Sequence, residues 1–161
     1  KNAAVSEGAV VFENELFQLT QYAPLTDQVA TRPLLIVPPC INKFYILDLQ
    51  SANSFVRFAA EQGNTVFLVS WRNPDAACGH FTWDDYLSQG AIRAIEVAHA
   101  ISGADKLNAL GWCVGGTILS SALAVLPEHT ASDKSEKDVN MADEETLPAS
   151  DPPATVRNKP D

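Results

Sequence analysis

The stretch Leu107-Asn108-Ala109-Leu110-Gly111-Trp112-Cys113-Val114-Gly115-Gly116, running into the apolar segment Thr117–Leu126, decides how this chain is read. Leu107–Gly111 has the length and composition of a short strand, and Thr117–Leu126 reads as a helix. Between them lies Gly-x-Cys-x-Gly, the spacing of a nucleophile elbow with cysteine at its centre. Such a turn holds its central residue in a strained backbone conformation. Side chains two residues before and after it would collide, which gives Gly111 and Gly115 a steric reason, and Gly116 permits close helix packing. The turn also sets the sulfur at a helix N-terminus, where unpaired N–H groups favour negative charge. Taken alone, the pattern would equally suit a small buried residue between two glycines. The flanking strand and helix make Cys113 the candidate nucleophile.

Working upstream, Leu34-Leu35-Ile36-Val37 is a continuous apolar run closed by Pro38-Pro39, as expected of a strand buried on both faces. The loop Val37-Pro38-Pro39-Cys40-Ile41-Asn42 follows it. In folds built around such an elbow, that loop supplies one backbone N–H of an oxyanion hole, and the residue after the nucleophile supplies the other. Ile41 and Val114 are the expected donors. Cys40 reads as a small apolar packing residue rather than a second nucleophile.

The remaining elements complete an alternation. Residues 9–12 and 16–22 form an expected hairpin around Glu13-Asn14-Glu15. A helix is expected from about Leu47 to Gln62, with Leu49, Phe55, Val56, Phe58 and Ala59 on one face and Gly63 as its stop. Thr65–Trp71 is a second buried strand ending in the turn cluster Arg72-Asn73-Pro74-Asp75. Thr82 should cap a helix to about Ser102, with Asp84 and Asp85 in its first turn and Gly103 after its last. Strands alternating with helices predict an α/β fold, a mostly parallel sheet covered on both faces.

Composition bounds the rest. The 161 residues are 46% hydrophobic, enough for one core, and the net charge of −9 argues against nucleic acid or an anionic membrane as partner. Three cysteines make no disulfide framework, no Cys/His spacing suits a metal, and no apolar run is long enough to span a bilayer. A reducing cytoplasm is the expected compartment. The character changes at Pro127. Residues 127–161 hold nine acids, four bases and five prolines but few large apolar residues. Two regions are expected: residues 1–126 as the N-terminal half of a catalytic domain, and residues 127–161 as a disordered acidic tail.

Three motifs carry a family resemblance. They are Pro38-Pro39-Cys40-Ile41-Asn42-Lys43-Phe44-Tyr45-Ile46-Leu47-Asp48-Leu49, Thr65–Asp75, and Gly111-Trp112-Cys113-Val114-Gly115-Gly116-Thr117. In this order they resemble the polyhydroxyalkanoate synthases, in the pattern of the class with one kind of subunit and short-chain monomers. The resemblance runs from about residue 1 to Leu126. It implies an α/β-hydrolase-type fold, here an incomplete sheet, and polymerisation of (R)-3-hydroxyacyl-CoA with release of CoA. It implies a Cys113-bound acyl intermediate and no cofactor beyond the CoA thioester substrate. Its implied partners are that substrate, the growing polyester and, in the complete enzyme, a second identical subunit, in the cytoplasm at polymer granules.

A free thiol is only a few per cent thiolate at neutral pH, so a histidine base oriented by a carboxylate is expected. In this fold acid and base follow the nucleophile. Only 48 residues follow Cys113, most of them in the tail, with His129 the one histidine among them. His80 and His99 precede the elbow and read as loop and surface residues. General base and acid are therefore expected to be absent from this chain, which is expected to be an inactive partial or truncated piece. The elbow alone also permits a thioesterase or esterase, or a non-catalytic remnant.

Overall fold

The computed structural model describes residues 6–41 and 43–126. The expected tail at 127–161, with His129, and the backbone of Asn42 lie outside them. Five strands form one sheet: β1 (Gly8–Glu13), β2 (Phe17–Tyr22), β3 (Leu34–Val37), β4 (Val66–Trp71) and β5 (Asn108–Gly111), in the order β1-β2-β4-β3-β5. The hairpin forms as read, with a bulge between Val10 and Phe12. β2 is antiparallel to β4, while β3 runs parallel to both β4 and β5. The sheet is thus mixed rather than mostly parallel. The hairpin delivers β2 beside β4 in the reverse sense, and only the strands joined through helices run parallel.

Alternation sorts the side chains onto two faces. Leu35 and Val37 of β3 and Phe67, Val69 and Trp71 of β4 join one cluster, under Leu87, Ala91, Ile92, Ala94 and Ala98 and under Ile118, Leu119 and Ala122 of the helix at 114–126. Ile36, Val66 and Leu68 face the other way, onto Leu47, Val56, Ala59 and Ala60. Both faces are covered, which explains why β3 and β4 read as continuous apolar runs.

The first helix departs from its expected span. α1 covers Phe55–Glu61 only, preceded by 3₁₀ turns at Phe44–Leu47 and Ser51–Asn53. Asp48 is fully buried. Its carboxylate accepts from the Ser6 N–H at 3.0 Å, the Ser6 hydroxyl at 2.7 Å and the Ser54 hydroxyl at 2.6 Å. Ser54 in turn accepts from the Arg57 N–H and caps α1. A helix starting at Leu47 would carry Asp48 past these donors, and a buried carboxylate without them is very costly. Leu49 and Phe58, expected on the buried face, are exposed. Gly63 stops the helix with φ +80°.

The second helix starts as read. Thr82 and Asp85 form a reciprocal capping box over α2 (Trp83–Asp85), and α3 (Arg93–Ser102) ends at Gly103 with φ +62°. Between them Tyr86–Ile92 is π-helical. Gly90 lies in this segment, and a Cβ there would come within 2.9 Å of two carbons of the Trp71 ring. The widened turn lets the backbone pass over the indole.

Candidate nucleophile turn

β3 and β5 are parallel neighbours whose last partners are Val37 and Gly111. Their C-terminal ends therefore lie on one edge of the sheet, and the loops beyond them, 38–41 and 112–113, start side by side. The Trp112 N–H donates to the Val37 carbonyl at 3.0 Å, carrying the ladder one step past β5.

Cys113 follows at φ +55°, the one described residue other than glycine in the left-handed region. A side chain there is strained by about 1 kcal/mol or more. The turn is closed by the Gly115 N–H donating to the Trp112 carbonyl at 2.9 Å and the Gly116 N–H to the Cys113 carbonyl at 2.8 Å. The helix at 114–126, α4, begins at the next residue, earlier than the expected Thr117. Cys113 is exposed.

The glycines have the close contacts their spacing requires. A Cβ on Gly115 would strike the Val37 carbonyl oxygen and lie 2.7 Å from that of Pro38. A Cβ on Gly111 would run into the backbone of Gly116, 2.8 Å from its nitrogen. One at Gly116 would be 3.3 Å from the Gly111 oxygen. Strand end and helix start are thus pressed together, and helix start and β3 loop likewise.

Val114 is half-buried against the main core, and Ile41 is 76% exposed on the neighbouring loop. Cys40 packs partly buried against that core, and burial pushes its thiol up, opposed by a weaker hydrogen bond to the sulfur from the residue's own backbone N–H. Cys78 lies in the short turn Ala76–Cys78, where its thiol hydrogen-bonds the exposed Asp75 carboxyl. That bond comes first among the contacts holding Asp75 below the usual carboxylate range, followed by the Ala77 N–H.

His80 is exposed, its Nδ1 2.8 Å from the Ala77 carbonyl and its ring centroid 4.1 Å from that of Phe81. His99 is exposed on α3, where its carbonyl accepts the Gly103 N–H. Among the described residues no cluster of His, Cys, Asp or Glu could hold a metal ion. No helix of the described residues is long and apolar enough to cross a membrane.

One residue escaped the sequence reading. Trp71, at the end of β4, is buried, and its indole N–H donates to the Pro38 carbonyl at 2.8 Å. Its only signal was position, a bulky polar-tipped aromatic closing an apolar strand.

Fold and turn together define a mixed α/β segment ending in a cysteine-bearing strand–helix turn. Residues 1–59 match the family model of the poly-beta-hydroxybutyrate polymerase (PhaC) N-terminus. The chain is 69% identical over 135 residues to a poly(3-hydroxyalkanoate) polymerase subunit PhaC of Cupriavidus necator, covering 82% of this chain and 23% of that protein. Identity is 42% over 125 residues to the subunit of the same name from Rhizobium meliloti, covering 78% and 20%. It is 47% over 124 residues to a poly(3-hydroxyalkanoate) polymerase of Methylorubrum extorquens, covering 77% and 20%. The resemblance to the polyhydroxyalkanoate synthases is therefore shown over most of this chain, which spans between a fifth and a quarter of the length of these relatives.

Proposed function

We propose that this chain is the nucleophile-bearing segment of an α/β-hydrolase-type acyltransferase that polymerises (R)-3-hydroxyacyl-CoA, with Cys113 as the acylated residue. What carries the reading is the backbone of Cys113, held at φ +55° between β5 and α4. Strain of this kind persists where the surrounding structure enforces it, and here the contacts of Gly111 and Gly115 do so.

In the proposed reaction the Cys113 sulfur, having given up its proton, attacks the thioester carbonyl carbon. A C–S bond to Cys113 forms, the C–S bond to CoA breaks, and the leaving thiolate takes up a proton. The hydroxyl of the growing chain then attacks the acyl carbon, losing its proton as the new ester bond forms and the sulfur leaves. The carbonyl oxygen becomes anionic in both steps, and the backbone N–H groups of Val114 and Ile41 are its proposed donors. Such donors typically contribute about 10²–10³ in rate. A histidine base and its carboxylate act from residues outside this chain, and the complete enzyme works as a homodimer at polymer granules in the cytoplasm. No resident cofactor is needed.

The test uses a complete polymerase carrying this segment, incubated with (R)-3-hydroxybutyryl-CoA. An acyl mass on the Cys113 peptide, lost in Cys113→Ala, together with polymer as product, supports the reading. An adduct surviving at full yield on Cys40 or Cys78 overturns the residue. Free hydroxy acid in place of polymer assigns a thioesterase instead.

A further inference from the structure

The geometry points to Trp71 as a positioning residue for acyl transfer, its indole N–H fixing the loop that carries Ile41 against the Cys113 turn. The inference rests on the proposed role of Cys113 and adds a residue to it.

The loop after β3 has an unusual anchoring problem. Pro38 and Pro39 have no N–H, so this stretch cannot tie itself down by donating. It is held through its carbonyls instead. Val37 accepts from the Trp112 N–H at 3.0 Å, and Pro38 accepts from Trp71 Nε1 at 2.8 Å. These are the same two carbonyls against which Gly115 packs without a Cβ. One indole hydrogen bond, spanning 33 positions of sequence, therefore locates the surface on which the start of α4 rests.

The indole is itself held on several sides. Phe17 meets it edge-on with centroids 6.0 Å apart, Tyr86 lies at 5.5 Å, and Gly90 of the π-helical segment presses on its six-membered ring. π-helical turns are frequent beside functional sites. Hydrophobic burial alone would be met by phenylalanine. The donated bond is what tryptophan adds, and its acceptor lies in the loop beside the nucleophile turn.

The experiment compares two reactions of one sulfur in a complete polymerase carrying this segment, followed on the Cys113 peptide by mass spectrometry. Acylation by (R)-3-hydroxybutyryl-CoA needs the oxyanion donors. Alkylation by iodoacetamide needs an accessible thiolate but no oxyanion donor. Trp71→Phe removes the N–H and keeps an aromatic ring. Placing β-(3-benzothienyl)alanine at position 71 removes the N–H with little change of shape and serves if the phenylalanine variant does not fold. Trp83→Phe, at an exposed tryptophan, is the control.

With Trp71 altered, acylation is expected to fall by about tenfold or more, while alkylation stays within about twofold, and the Ile41 amide exchanges faster with solvent. Acylation and alkylation changing in step, or neither changing, overturns the proposal. If the unsubstituted polymerase forms no acyl adduct on Cys113, it is the nucleophile assignment that fails. The exchange of the Ile41 amide then decides Trp71 by itself: acceleration retains it as the anchor of the loop, and no change removes it.

Discussion

Val37 and Gly111 are the last register partners of the parallel pair β3–β5, and the loops leaving them share one edge of the sheet. The pairing starts the loop that carries Ile41, four residues past Val37, beside the turn that carries Cys113, two residues past Gly111. Parallel strands put equivalent ends side by side, so two loops distant in sequence start from a fixed separation of about 5 Å. The Val37 carbonyl then does two further things. It takes the Trp112 N–H, and it occupies the space a side chain on residue 115 would need.

Gly115→Ala should therefore be among the most damaging single-methyl additions in the molecule. Its Cβ would fall on the Val37 carbonyl oxygen and close to that of Pro38, both backbone atoms that cannot swing aside. A destabilisation of about 3 kcal/mol or more is expected. Gly103→Ala is the comparison: it has φ +62° but nothing within 4 Å of the added methyl, so conformational strain of about 1 kcal/mol is all it should cost. Denaturant midpoints of the two variants check the order.

At Cys113 itself stability and chemistry should pull apart. Both Cys113→Ala and Cys113→Gly remove the sulfur, but only glycine accepts φ +55° without strain. Cys113→Gly should be more stable than Cys113→Ala by about 1 kcal/mol, and both should lose the acyl adduct. An alanine variant melting at or above the glycine variant would show that the turn relaxes without the sulfur.

Much of this was legible because it is local. β3 and β4 announced themselves as short apolar runs with sharp stops, since strands buried on both faces leave few polar positions to blur the ends, and β5 was legible from the turn it leads into. The elbow was legible because its spacing is local and Gly111 answers Gly116, although Gly115 answers the distant carbonyls of Val37 and Pro38. Three features were not. α1 was overextended toward Leu47 because what ends it is Asp48 bonding to Ser6, 42 positions away. The π-helical segment keeps an apolar periodicity, and only Trp71 against Gly90 explains the wider turn. Trp71 was missed because its partner carbonyl lies 33 positions upstream.

An alkaline limb of instability is expected from Tyr22. Burial, and then the nearby Asp48 carboxylate, push its phenol well above the ordinary value of 10.0. The folded state therefore keeps a proton that the unfolded state releases above about pH 10. There the unfolded chain binds fewer protons, so stability is full below pH 10 and falls as pH rises toward the folded value. Tyr22→Phe removes the titrating group and should flatten this decline. Melting temperatures of both proteins between pH 8 and 11 test it; parallel curves would contradict the assignment.

The last expectation concerns β5. Among the described residues it pairs with β3 alone, and Asn108 and Ala109 are exposed. Trp112, which follows it, and Leu123 and Val125 of α4 are 50%, 49% and 40% exposed. A strand with one open side presents a row of N–H and C=O groups to any other edge, and apolar residues around it add a driving force for association. The isolated 161-residue chain should self-associate as its concentration rises, and it should release CoA from (R)-3-hydroxybutyryl-CoA far more slowly than a complete polymerase. Ala109→Lys places a charge on the open strand without touching Cys113, and should shift the chain toward monomer in sedimentation velocity. Its Cys113 alkylation rate should stay within about twofold, since the turn's own contacts are unaltered. Association that persists unchanged in Ala109→Lys would move the contact away from β5, and a concentration-independent monomer of the unsubstituted chain would show the edge to be covered.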